Sequence, residues 1–134
     1  MSSAWVLDAS ALLAYLRDEA GAIDTAEAIA TGAAISAANW AEVLSKVAEE
    51  GEDPEMVAQR LESEGIIGGS LQVFPLTDMD ARVMGRLRPL TRSAGLSLGD
   101  RACIALGIRL ACEVLTADRS WAGLDLGVDV RLIR

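Results

Sequence analysis

Trp5-Val6-Leu7-Asp8-Ala9-Ser10-Ala11-Leu12-Leu13-Ala14-Tyr15-Leu16-Arg17 is the stretch that decides the fold. Three apolar residues read as a strand, Asp8 ends it, and residues 10–17 (SALLAYLR) read as a helix. Working outward, the same alternation recurs. Residues 22–31 read as a second helix and Ala33-Ala34-Ile35-Ser36 as a second strand. From Ala37 a helix runs to about Glu50, with Trp40, Val43, Leu44 and Val47 at the i, i+3, i+4, i+7 spacing of one apolar seam. Gly51 stops it, and Asp53-Pro54, a cap before a proline, opens another helix that Gly68-Gly69 breaks. Leu71 to Phe74 is a third strand. Thr77 and Asp80 have the spacing of a capping box, starting a helix expected to end near Arg88-Pro89, with Arg92 to Gly95 as loop. Ser97 to Ala111 is a strongly apolar helix, Glu113 to Thr116 a fourth strand and Val128 to Ile133 a fifth. Strands alternating with helices imply right-handed crossovers, hence an α/β fold: one domain over residues 1–134, with a central parallel sheet of about five strands between two helical layers.

The bulk numbers agree and exclude several classes. At 134 residues and 51% hydrophobic, the chain can bury a real core. Twenty acidic against twelve basic residues leave a net charge of −8, which rules out holding nucleic acid by bulk charge. A polyanionic substrate would need bound cations or a local basic patch. Two cysteines without any histidine do not make a zinc site, so Cys103 and Cys112 are expected as buried thiols in a reducing cytosol. Met1-Ser2-Ser3 offers no basic leader, and charges at Asp8 and Asp100-Arg101 interrupt the apolar stretches. No signal peptide or membrane span is therefore expected, and the location is expected to be cytoplasmic.

Sites in open parallel sheets form at the carboxyl ends of the strands. Asp8 directly follows strand one, and Asp118 lies just past strand four. Glu42 is in the second turn of the helix after strand two, and Asp100 in the first turn of the helix leading into strand four. These four acids, distant in sequence, should meet on one rim. Each has a plainer reading. Asp8 can cap the first helix, Ser97-Leu98-Gly99-Asp100 is a capping box, and Asp118 can cap the turn at Arg119-Ser120-Trp121. Glu42 lies off the apolar seam of its helix and reads as solvent-facing, while Asp80 reads as a cap and nothing more. Together on one rim, however, four ionised carboxylates repel, and a divalent cation is the usual relief. Oxygen-only ligands suit Mg²⁺ or Mn²⁺.

Four ordered segments carry a family likeness: Val6 to Ala11 (VLDASA), Ile35 to Glu42 (ISAANWAE), Leu96 to Cys103 (LSLGDRAC) and Val114 to Arg119 (VLTADR). They resemble the successive motifs of PIN-domain proteins and, more narrowly, the VapC toxins of bacterial type II toxin–antitoxin pairs. The resemblance spans nearly the whole chain; residues 51–75 are generic. It implies a PIN-like three-layer fold and a metal-dependent endoribonuclease hydrolysing RNA phosphodiester bonds. It implies Asp8, Glu42, Asp100 and Asp118 as the catalytic, metal-holding acids, Asp8 and Asp100 foremost, supported by Ser10, Asn39 and Thr116. It also implies a homodimer, a cognate antitoxin whose basic tail covers the acids, and a particular tRNA or structured RNA as substrate. With no histidine, proton transfer falls to carboxylates or to the metal's own water.

Two rivals use the same architecture. A catalytically inactive PIN-fold binding module would be expected to have lost acids, and all four are present. A receiver-like phosphorylation domain needs a lysine after a late strand, and the only lysine is Lys46, inside a helix. The positive charge is unevenly spread. Arg82, Arg86, Arg88, Arg92 and Arg101 face a single acid, Asp100, between residues 82 and 101. Arg88, Arg92 and Arg101 are candidate RNA contacts, Arg88 and Arg92 expected in the loop about Pro89 that runs towards Asp100.

Overall fold

Five short strands build a wholly parallel sheet in a computed structural model that describes residues 3–134. The strands are β1 (Trp5–Leu7), β2 (Ala33–Ser36), β3 (Leu71–Phe74), β4 (Glu113–Thr116) and β5 (Val130–Leu132), in the order β3-β2-β1-β4-β5. Trp5 pairs with Ala33 on one side and Glu113 on the other, so β1 is the central strand. From β1 the chain first builds outward through β2 to β3, then returns to build β4 and β5 on the opposite side. The order reverses between β1 and β4, and the crevice at their carboxyl ends is where such sheets bind ligands.

The helices are α1 (Ala9–Leu16), α2 (Ala22–Thr31), α3 (Ala37–Glu49), α4 (Pro54–Ser63), α5 (Asp78–Thr91) and α6 (Leu98–Leu110). Strand alternation divides the core into two layers. Leu7, Ile35 and Leu115 point to one face and pack with Leu12 of α1, Ile29 of α2 and Val43 of α3. Val6, Ala34 and Val114 point to the other and pack with Leu87 of α5 and Cys103, Ile104 and Leu106 of α6. Trp121, fully buried in a 3₁₀ turn over Arg119–Trp121, closes that second layer. Val57 and Leu61 seat α4 on Val47 of α3. The α/β/α sandwich expected from the sequence is thus the observed one. Among the described residues, no helix is long and apolar enough to cross a membrane.

Three boundaries differ from expectation. α4 ends at Ser63, well before Gly68-Gly69. β5 is shorter than Val128 to Ile133, and α5 does not stop at Arg88-Pro89 but continues to Thr91 with Pro89 inside it. Proline removes one helical hydrogen bond and crowds the carbonyl four residues back. That residue is Gly85, which brings no side chain to the crowding. Leu87 and Thr91 are buried on either side, and the Thr91 hydroxyl donates to the Leu87 carbonyl at 2.8 Å. Packing therefore carries the helix past its proline. Arg88 consequently lies in the last turn of α5 and Arg92 at its C-terminal cap, not in a loop.

Candidate active site

Asp8 sits at the carboxyl end of β1, its N–H donating to the Leu115 carbonyl of β4 at 3.1 Å. It caps α1 as expected: Oδ1 accepts the Ala11 N–H at 2.8 Å. A helix cap ordinarily faces water, yet Asp8 is only 3% exposed. Its carboxylate is held by two hydroxyls, Ser10 donating to Oδ1 at 2.7 Å and Thr116 to Oδ2 at 2.5 Å. Each hydroxyl has one proton and gives it to Asp8. Their oxygens in turn accept backbone N–H groups leaving β4, Ala117 on Ser10 at 2.9 Å and Asp118 on Thr116 at 3.0 Å. Ser10 and Thr116 thus splice the ends of β1 and β4 through Asp8. Burial pushes the Asp8 carboxyl up to about 6; the three hydrogen bonds oppose the rise, and the nearby charge of Asp100 adds to it.

Asp100 occupies the third position of α6 and closes the reciprocal capping box with Ser97. Its Oδ2 accepts the Ser97 N–H at 2.8 Å, and its own N–H donates to the Ser97 hydroxyl at 3.1 Å. The cap reading is correct, and the same carboxylate also lies among the other acids. Burial raises Asp100 above the usual aspartate range and the charge of Asp118 raises it further, against its hydrogen bonds to Ser97 and the charge of Arg101. Asp118 caps the 3₁₀ turn, its Oδ1 accepting the Ser120 N–H at 2.9 Å and hydroxyl at 2.7 Å. Glu42 is exposed as a residue, in keeping with the helical periodicity, but its carboxylate turns towards α6. There the Asn39 amide nitrogen donates to Glu42 Oε1 at 3.3 Å and to the Gly99 carbonyl at 2.9 Å. Burial and then the charge of Asp100 raise Glu42 too, while the Asn39 hydrogen bond lowers it.

Asp100 is accordingly the hub: Asp8, Glu42 and Asp118 are each coupled to it. The four acids share one rim and one electrostatic field. They do not form a finished coordination cage, since among the described residues no three His, Cys, Asp or Glu side chains already close on a common point. The donor set nevertheless fits a hard divalent cation: the rim offers carboxylate oxygens whose mutual repulsion a cation would relieve, and Asn39 Oδ1 is buried without a hydrogen-bond partner. Cys103, fully buried one turn after Asp100, belongs to the core cluster of Val6, Ala34 and Leu106. Burial pushes its thiol far up, and the charges of Asp8, Asp100 and Glu42 push the same way. The sequence marks it only as a core thiol; its i+3 spacing from Asp100 is the available signal.

The arginines divide. Arg82 pairs with Asp78 one turn earlier at 2.9 Å, whereas Arg88 and Arg92 are exposed. Arg101 is half-buried and donates to the Met84 carbonyl at 3.1 Å, so it braces α6 against α5. Asp80 is more than a cap: besides its box with Thr77, the buried carboxylate meets Arg109 of α6 at 3.2 Å. Arg109 also reaches the Pro75 carbonyl at 3.2 Å and lies over the Phe74 ring, which ties β3, α5 and α6 together. Lys46 is in the last turn of α3, 3.8 Å from Glu49, and not on a segment following a late strand.

Solved structures share this architecture. A toxin–antitoxin complex from Klebsiella pneumoniae superposes with a TM-score of 0.72 at 18% identity, covering 96% of this chain and 97% of that one. A DNA-bound VapBC from Salmonella typhimurium gives 0.72 at 17% identity over the full length of both chains. The VapBC-5 toxin–antitoxin system of Mycobacterium tuberculosis gives 0.57 at 26% identity over 98% of each. No curated protein matches the chain significantly. The family model of the PIN domain matches residues 5–125, from the first strand to beyond Asp118. With a sheet that reverses at β1 and β4, acids gathered at that reversal and a family match over nearly its whole length, the chain belongs to the PIN-domain family.

Proposed function

We propose that this PIN domain is a metal-dependent endoribonuclease and the toxin of a type II toxin–antitoxin pair. The observation that carries the reading is the buried Asp8 carboxylate at the switch between β1 and β4, in the field of Asp100 with Glu42 and Asp118 beside it. A stability-driven design would not bury one carboxylate beside another; a site for a divalent cation would. Bound Mg²⁺ or Mn²⁺ would supply Lewis-acid polarisation of the phosphate and an activated water. Asp8 and Asp100 would hold the ion, with Glu42 and Asp118 completing the oxygen set. Ser10 and Thr116 keep Asp8 aimed, and Asn39 keeps Glu42 aimed. Arg88 and Arg92 on α5 would hold RNA phosphates.

An antitoxin partner is supported by the surface next to the acids. A groove of about 480 Å³ between α1 and α3 is lined by apolar Ala9, Leu13, Ala38 and Ala41 and by the charged Glu42, Lys46 and Glu49. An apolar lining with two acids against one base suits an amphipathic tail whose arginine or lysine would replace the metal among the carboxylates. The assembly would be a homodimer acting on RNA in the cytoplasm. The test is incubation of the purified chain with total RNA, with Mg²⁺, with Mn²⁺ and with chelator, beside Asp8→Asn. Site-specific, metal-dependent cleavage by the wild type alone supports the reading, as does growth arrest relieved by a co-expressed basic partner. No cleavage together with harmless overexpression would defeat it.

A further inference from the structure

Gly99 immediately precedes Asp100 in the first turn of α6, and its backbone does not call for glycine: its φ is outside the left-handed region. What calls for glycine is space. A Cβ built there meets Glu42, at 2.7 Å from Cδ and in hard overlap with Oε1, and its three nearest neighbours are all atoms of that carboxyl group. By contrast, a Cβ on Gly85 of α5 meets nothing, and one on Gly107 of α6 meets Val114 of the sheet. The Gly99 carbonyl, moreover, accepts from the same Asn39 amide nitrogen that donates to Glu42.

We propose that Gly99 is a positioning residue: the missing side chain is the notch in which the Glu42 carboxylate rests, and Asn39 latches the two together. The group a methyl would displace is the tip of a flexible glutamate, not backbone or packed core. The fold can therefore yield cheaply, and what yields is the carboxylate the site needs. Alanine is also a better helix former than glycine, so local propensity opposes any loss of stability. The consequence for metal and RNA rests on the nuclease reading; the notch itself does not.

The experiment compares Gly99→Ala, Glu42→Ala and the double variant. In the metal-free protein, the Asn39 side-chain amide is followed by ¹⁵N NMR. Gly99→Ala should move that resonance in the wild-type background but not in Glu42→Ala, where the methyl enters vacated space; such non-additivity is the mark of two groups in contact. The melting temperature of Gly99→Ala should equal or exceed that of the wild type. Its Mn²⁺ affinity by calorimetry and its RNA cleavage should fall about tenfold, as for loss of a group that orients a ligand. An unmoved Asn39 resonance, an equal shift in both backgrounds, or a melting temperature lowered by several degrees would each overturn the notch. A wild type that neither binds Mn²⁺ nor cleaves RNA would instead refute the nuclease reading, leaving the Asn39 resonance to decide the notch.

Discussion

Thr116 and Asp8 are 108 residues apart in the chain and 2.5 Å apart in the fold, hydroxyl to carboxylate across the neighbouring strands β4 and β1. That hydroxyl also accepts the Asp118 N–H, so one oxygen sets the orientation of one acid and the backbone of another.

Replacing Thr116 by valine keeps the shape and removes both roles. A buried carboxylate would lose a donor and a backbone N–H its acceptor, which should cost about 1–3 kcal/mol. Denaturant melts at pH 7 should show Thr116→Val destabilised by that amount and Thr116→Ser close to wild type. Equal stability for valine and wild type would mean that Asp8 finds its donor elsewhere.

Asp8 also makes a pH signature. Its carboxyl is raised by burial from 3.8 to about 6. Between these values the folded protein keeps a proton that the unfolded chain has released, so stability falls as pH climbs through the window. About two pH units at 1.36 kcal/mol each set a ceiling of about 3 kcal/mol. In metal-free buffer, Asp8→Asn should gain on the wild type from about pH 4 to pH 6 and hold its advantage above. Parallel stability curves for the two proteins would contradict the buried charge.

A divalent cation should reverse that liability. Mg²⁺ or Mn²⁺ binding to the folded state raises the wild-type melting temperature by mass action. Asp8→Asn and Asp100→Asn should abolish cleavage, remain folded and lose the metal-dependent increment, because an asparagine oxygen at position 100 can still accept the Ser97 N–H. Calorimetry with and without metal checks all three proteins together; an undiminished increment in either variant would remove that residue from the metal-holding set.

The exposed arginines of α5 should show themselves through salt. Removing one phosphate-binding arginine should flatten the salt dependence of single-stranded RNA binding by about 0.7 log units per log unit of salt. Arg88→Ala and Arg92→Ala, assayed on an uncleavable RNA, should each show this change, whereas Arg60→Ala on α4 should not. Three equal slopes would move the RNA track away from α5.

The sequence was most informative where local chemistry and tertiary structure agree. The Thr77–Asp80 and Ser97–Asp100 boxes, the cap at Asp53-Pro54 and the apolar seam of α3 all appear where spacing placed them. It misled where packing outweighs propensity, at Pro89, which buried Leu87 and Thr91 hold inside α5. The rim of acids could be inferred because parallel topology sends every strand end and helix start to one edge. Its finer geometry could not: whether Glu42 turns inward depends on the missing side chain of Gly99, 57 positions later by residue number, and no periodicity within α3 contains that information. The Asp80–Arg109 pair stayed hidden for the same reason, since a capping box accounts for the acid without reference to another helix.

The join between β1 and β4 sets a timetable for biosynthesis. A ribosome makes Asp8 108 residues ahead of Thr116, and the central strand has its second neighbour only after both have left the exit tunnel. Nascent chains that stop before β4 lack the Thr116 hydroxyl, the Asp118 carboxylate and one side of the crevice. They carry Asp8, Glu42 and Asp100 without the arrangement that gathers them on one rim. A chain becomes competent to hold a cation at this rim, as proposed above, only once its fourth strand has emerged.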